Sequence, residues 1–384
     1  MRSFICLIML ANLFLLSCDR SRASLEKVYY DQEGFVVFDI VDHNEVDMIY
    51  FSEFVNAIDY IPLETSAACL IGEVDKVLIN ENFIYVLDKR IVNAAFVFDR
   101  EGNFVKQLGR EGEAEGEYLE LGDMFFIDES QIAIYDHVRQ QMLVFKDLEY
   151  SHTEKFDWKS SKIYEFGGYF YHNPFLSKYN VVEAGPFELF ISGYESNIIE
   201  KHFEYPSYRD VVYEKQNVFR LYDDSVLFIP PFYNKVFSLK GKDVTPRYLF
   251  NFGDRQLPIE ETYSFETLSA ALQNYGHVGD TFLENQQHVF FEASYKGPSA
   301  KFCLYNKEEG VFKFSSKITN DVNHLMLYKF DDFNDAYAYG TLNAADFITA
   351  ISKRKGVENQ VLSNLRIEAL DRSDNPVVAI YHFE

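Results

Sequence analysis

The residues able to do chemistry are many, but they are poorly grouped. The nine histidines (43, 137, 152, 172, 202, 277, 288, 324 and 382) show no short spacing at which two would meet on one metal. Asp331-Asp332-Phe333-Asn334-Asp335 collects oxygen ligands that suit Ca2+. Without alternating acids and a distal Glu, however, it reads as a solvated acidic turn. Carboxylate pairs such as Glu260-Glu261 are commonplace in a chain with 60 acids and do not indicate general acid–base work. The sequence contains no G-x-S-x-G elbow, no H-E-x-x-H and no G-x-x-x-x-G-K-[ST] loop. Cys69 and Cys303 read as buried free thiols, although an oxidising compartment would permit a disulfide. The expectation is therefore no catalytic set, no metal and no cofactor.

What must position any functional residue is a repeat. In Asn82–Leu108 an apolar strand ends at Asp88, a polar loop follows, and a strand carrying Phe98 runs into the turn Asp99-Arg100-Glu101-Gly102 and a further strand. The pattern returns so that Phe98, Phe145, Ile191 and Phe237 fall in register, at steps of 47, 46 and 46 residues. A fixed period with four short strands per unit is the signature of propeller blades. The next anchor, Tyr305, comes after 68 residues, and Glu260–Gln273 supplies a short helix in the gap. A second helix, Ala344–Lys355, is capped by Asn343, and the sixth anchor is near Ala379. The fold expected is all-β: a six-bladed propeller of four-stranded blades with two short helical insertions. Pro62 cannot donate to a ladder, so Phe54–Leu63 should form an outer edge strand of the last blade, beside the C-terminal run from Asn375 to Tyr381. Pro246 should likewise lie on an outer strand. Thus the two ends of the chain should close the ring.

In such a ring the loops joining second and third strands converge on one mouth of the axis. They supply Lys89 and Arg90, then Asp136, His137 and Arg139, with Glu183–Pro186 from blade three. Blade four adds Tyr233, Asn234 and Lys235, and blade five adds Tyr295 and Lys296. Five cations beside three acids make a basic mouth on a body of net charge −24, suiting a carboxylate or sulfate, with the two tyrosines able to stack on a sugar ring. The cations could equally pair with Asp88, Asp136 and Glu183. The same net charge argues against nucleic-acid binding and against lying on an anionic bilayer. Most of the 37 Phe and 27 Tyr, and the single Trp158, are needed between blades.

Residues 1–17 carry Arg2 and a short apolar run, Phe4–Leu16, too short to span a bilayer. The following Leu15-Leu16-Ser17-Cys18 resembles a bacterial lipobox, which implies cleavage before Cys18 and its lipidation. Residues 18–55 then read as a lipidated tether and N-terminal extension, and 56–384 as the propeller. Asp19 resembles an inner-membrane retention signal, and the address is the cell envelope, on its periplasmic face or the cell surface. The Ile61–Glu64 segment IPLE, the strands IYVLD and FVFDREGNFV, and the loop ending Gly116-Glu117-Tyr118 resemble six-bladed β-propeller lipoproteins of Bacteroides-type bacteria, related in pattern to NHL-repeat propellers. That family's loop reads Gly-Pro-Gly-Glu-Tyr, whereas Ala114 and Glu115 stand here, so an inter-blade turn fits better than an anion nest. The resemblance carries no established activity. Three functions stay open: a non-catalytic monomeric lipoprotein binding an anionic saccharide or an envelope protein at its axial mouth, a propeller-type carbohydrate lyase or hydrolase, and a scaffold in an outer-membrane assembly.

Overall fold

The computed structural model describes residues 28–41, 45–174, 187–194, 197–204, 218–230, 233–258, 265–295, 300–353, 367 and 369–383. Residues 1–17, Cys18, Glu183–Pro186 and Lys296 lie outside the described residues.

The chain opens with β1 (Val28–Tyr30), β2 (Val36–Asp39), β3 (Ile49–Tyr50) and β4 (Ala57–Pro62). Blade one follows as β5 (Lys76–Ile79), β6 (Phe83–Asp88), β7 (Ala94–Asp99) and β8 (Phe104–Gln107). Blade two is β9 (Leu121–Phe126), β10 (Gln131–Asp136), β11 (Gln141–Lys146) and β12 (Glu149–Lys155). Blade three is β13 (Ser160–Phe166), β14 (Tyr169–Pro174), β15 (Phe187–Ser192) and β16 (Ile198–Glu204). Blade four is β17 (Phe219–Tyr222), β18 (Ser225–Phe228), β19 (Lys235–Lys240) and β20 (Asp243–Asn251). Helix α1 (Phe265–Asn274) precedes blade five, which is β21 (His277–Glu284), β22 (His288–Ser294), β23 (Ala300–Asn306) and β24 (Val311–Ser315). After β25 (Ile318–Thr319), blade six comprises β26 (Asp332–Phe333), β27 (Tyr337–Leu342) and β28 (Val377–His382), with helix α2 (Ala344–Lys353) between the last two. Each anchor expected from the repeat lies on the third strand of its blade. Asn343 caps α2 as expected, its side chain accepting the Ala345 N–H at 2.9 Å.

Closure runs as Pro62 predicts. Blade six takes β4 as its outermost strand, antiparallel to β28, with Pro62 opposite Val377 and Ala57 opposite His382. The buried Asn375 side chain reinforces the seam, accepting the Ile71 N–H at 2.9 Å and donating to the carbonyls of Glu64 and Cys69. Gly102, at φ +83°, ends the first blade's turn against this seam: a Cβ there would stand 2.3 Å from the Pro62 carbonyl oxygen.

Blade four differs from the expectation. Its sheet has six strands, because β2 pairs in parallel with β20 and β1 lies beyond it, so β20 is not the edge. Pro246 is still tolerated, since β2 covers only Tyr248–Asn251 and leaves Pro246 on the uncovered part of the strand. The strands before blade one thus pair with the ring: β2 with β20 of blade four, β3 with β25 after blade five, and β4 as the outer strand of blade six.

Apolar clusters fill the six blade interfaces. Leu87, Val97, Met124 and Leu143 pack blade one on blade two, and Phe38, Phe250, Phe291 and Phe312 pack blade four on blade five. Rings such as Phe54 and Phe290, stacked at 4.9 Å, supply the area and the geometry these wedge-shaped contacts need. The Gly109–Tyr118 loop is inter-blade structure. Tyr118 is fully buried, donates to the Asn93 carbonyl at 2.9 Å, and burial lifts its phenol to about 12.

Candidate functional site

The first strand of each blade lines the axis, so its side chains decide what the channel can hold. In five blades that strand begins with, or soon reaches, a charge: Lys76 on β5, Asp123 on β9, Lys162 on β13, Arg220 on β17 and Asp332 on β26. Asp123 is fully buried and ties three blades together. It accepts from Lys76 Nζ at 2.8 Å on one side and from the Ile163 N–H at 2.8 Å on the other. Arg220 is only 1% exposed, and its Nη1 meets Asp332 Oδ1 at 3.0 Å, bridging blade four to blade six. The other two nitrogens of that guanidinium, Nε and Nη2, have no hydrogen-bond partner among the described residues. Burial pushes the Asp332 carboxyl above the usual carboxylate range, although Arg220 and Lys76 pull it down. Burial likewise lowers the Lys76 ammonium against the pull of Asp123.

Above these charges the axis opens into a cavity of about 570 Å3 that includes Lys76, Lys162, Arg220 and Asp332 in its lining. Its walls are apolar and aromatic, from Leu78, Phe126, Tyr164, Phe219, Leu221 and Phe333. The Phe333 ring lies 5.9 Å from the Arg220 guanidinium carbon. The rim is formed by turns between first and second strands, with Asn80, Asp128, Glu129, Gly167 and Asn334. Glu165 lines the same end; it accepts the Gly168 N–H at 2.8 Å, and burial raises its carboxyl. The cavity therefore has a charged floor, an apolar waist and an acidic, hydrogen-bonding rim.

The loops between second and third strands emerge at the other end of the axis. The structure places their residues in an organised surface. Asp88 is fully buried and accepts from the N–H groups of Gly72, Glu73, Ile91 and Val92. Asp136 repeats the device with Leu119, Val138 and Arg139. These two carboxylates bind backbone, so neither pairs with the loop cations as considered from sequence. Arg90 instead meets Glu73 at 2.8 Å and Asp75 at 3.1 Å. Lys89 Nζ reaches the Gly122 carbonyl at 3.5 Å, His137 faces Glu120 at 3.5 Å, and Arg139 donates to the Glu117 carbonyl at 3.1 Å. Asn234 donates to the Phe250 carbonyl at 3.0 Å, and Lys235 pairs with Glu33 over the Phe35 ring. Tyr233 packs on Phe203, while Tyr295 is buried beside Phe252. Lys89, Arg90, Asp136, His137 and Arg139 come together on blades one and two; Tyr233, Asn234, Lys235 and Tyr295 sit on blades four and five.

In the acidic run Asp331–Asp335, Asp331, Asp332 and Asn334 are engaged in the fold, while Asp335 is exposed. Asp331 accepts from the Thr341 N–H and hydroxyl, Asp332 pairs with Arg220, and Asn334 caps its own turn. Among the described residues no group of three or more His, Cys, Asp or Glu could hold a metal ion. Cys69 and Cys303 are free and buried.

A model of the family described as a domain of unknown function, DUF4934, matches residues 35–382. The chain belongs to this family. No curated protein matches it in sequence. Among solved structures, a Bacteroides fragilis protein named as an inferred exported protein superposes with a TM-score of 0.69 at 17% identity, covering 91% of this chain and all of that one. That likeness is one of fold. A DUF4221 family member from Bacteroides vulgatus (9% identity, 86% of this chain and 97% of that one) reaches 0.45, and apo AztD from Citrobacter koseri (10% identity, 76% of each chain) reaches 0.39.

In this DUF4934 chain the axial charges are the residues that sequence reasoning missed. A signal was present: the first strands read Asp75-Lys76-Val77, Gly122-Asp123-Met124, Ser161-Lys162-Ile163, Phe219-Arg220-Leu221 and Asp331-Asp332-Phe333, each with a charge inside an apolar strand. A charge recurring at that register of successive blades points at the axis.

Proposed function

We propose that this protein is a non-catalytic, lipid-anchored binding protein of the bacterial envelope that holds a small soluble ligand in its axial cavity. The observation that carries this reading is the cavity itself: about 570 Å3, within the usual range of ligand sites, apolar in its walls and polar at a few placed points. The Ser160–His172–Ser192 chain looks like a catalytic pairing by residue type, but all three are fully buried inside blade three and bond to one another. The loop surface at the opposite end offers Lys89, Arg90 and Arg139 to a protein partner or an acidic glycan, and remains a second docking face in this proposal. The anchor rests on the lipobox-like Leu15–Cys18 and on an N-terminal extension that reaches the ring at β1. No helix among the described residues is long and apolar enough to cross a membrane, so the acyl chains would hold the protein. Cys18→Ala should abolish labelled fatty-acid incorporation in cells; unchanged labelling would remove the anchor. For the cavity, Leu221→Trp adds bulk from a half-exposed wall position. In a glycan-array and calorimetric comparison it should weaken binding at least about tenfold with little change in melting temperature. Unaltered binding would place the ligand elsewhere.

A further inference from the structure

We infer that the axial cavity takes an acidic sugar, a carboxylate or sulfate ester on a hydroxyl-bearing ring, with the acidic group seated on the Nε–Nη2 edge of Arg220. This rests on the cavity being the binding site. Arg220 is 1% exposed and spends only Nη1 on Asp332, at 3.0 Å. Its Nε and Nη2 have no acceptor among the described residues. Leaving two buried guanidinium nitrogens unsatisfied is costly, and an ordered protein rarely does so without purpose. The free edge is a two-donor fork that matches the two oxygens of a carboxylate or sulfate, in a way a lysine could not.

The surrounding charge agrees. At the floor Lys76, Lys162 and Arg220 stand against two carboxylates, Asp123 and Asp332, which leaves one positive charge over at that end, whereas Asp128, Glu129 and Glu165 make the other end acidic. The Lys76 ammonium is already committed to Asp123, and of the two remaining floor cations, Lys162 and Arg220, only Arg220 presents a planar two-donor fork to an acid group. Higher up, Tyr164, Phe219 and Phe333 give flat apolar surface for a ring. At the rim the acids Glu129 and Glu165, with the amides of Asn80 and Asn334, suit neutral hydroxyls, which donate to carboxylates. A second anionic group at the rim would be repelled. The ligand is thereby polarised, acid inward and hydroxyls outward.

The test uses matched probes, para-nitrophenyl β-glucuronide and the neutral para-nitrophenyl β-glucoside, titrated calorimetrically against the full chain at low and high salt. The glucuronide should bind at least about tenfold tighter, with an advantage that shrinks as salt rises. Arg220→Gln should erase that advantage. Asp332→Asn should enlarge it, because it removes the internal anion that competes for the same guanidinium. Two variants moving affinity in opposite directions cannot both reflect misfolding. Equal binding of the two probes, with both abolished by Leu221→Trp, would overturn the acid seat and leave the cavity reading intact. Glucuronide binding that ignores Leu221→Trp would overturn both. Failure of the glucuronide to bind would overturn the acidic-sugar assignment.

Discussion

His172 and Arg220 are both buried ionisable side chains, and each is kept inside by a different means. His172 gives up its charge. It sits against Phe156 and Trp158, with ring centroids 5.0 and 5.2 Å away, and its two nitrogens meet Ser160 Oγ at 3.0 Å and Ser192 Oγ at 2.9 Å. Burial drops its pKa from 6.5 to about 3. The unfolded chain therefore takes up a proton near pH 6.5 that the folded protein refuses until about pH 3. Stability from this group is complete above pH 6.5 and is lost as pH falls through that window, at about 2 kcal/mol between pH 7 and pH 5. His172→Gln should flatten the acid limb of a plot of melting temperature against pH relative to the parent. Parallel plots for the two proteins would show that His172 is not held neutral. Arg220 is instead paired with Asp332, and its uncommitted edge is the feature on which the proposed acid seat rests.

At the scale of elements, strands were legible because the inner strands of each blade are buried on both faces, so they read as short apolar runs, and the run recurs blade after blade. The turn Asp99–Gly102 was readable from residue chemistry alone: Asp99 accepts from the Glu101 and Asn103 N–H groups, and Gly102 takes the left-handed conformation. Pro62 marked the edge of blade six for the same kind of reason, a missing donor. The six strands of blade four were not legible, because Val36–Asp39 pairs in parallel with a strand over 200 residues later and nothing local announces it. The candidate site divides along the same line. Loop cations are visible in sequence as a count, so Lys89, Arg90 and Arg139 stood out, whereas their acceptors Asp75, Glu73 and Glu117 are not where pairing by nearest acid would put them. Arg220 and Asp332, 112 residues apart, become partners only when the ring brings blades four and six to one axis.

At the scale of the whole molecule, the cavity exists only because the ring is closed. Asp332 reaches Arg220 from the first strand of blade six, and that blade is completed by the seam between β4 and β28. Strand β28 pairs on both sides, with β27 and with β4, and buries Val377, Val378, Ile380 and Tyr381 almost completely. At about 1.5–3 kcal/mol for each large side chain, its burial contributes about 6–12 kcal/mol, comparable with the whole stability of a folded domain. Deleting residues 376–384 should therefore abolish the cooperative thermal transition rather than lower it modestly, and ligand binding at the axis should disappear with it. A synthetic peptide covering residues 371–384, supplied in excess, should restore part of the transition by adding the strand in trans, since both of its ladders run to edges the truncated chain still carries. A truncated protein melting within about two degrees of the parent would mean that β28 is dispensable and that something other than the β4–β28 seam holds the ring shut.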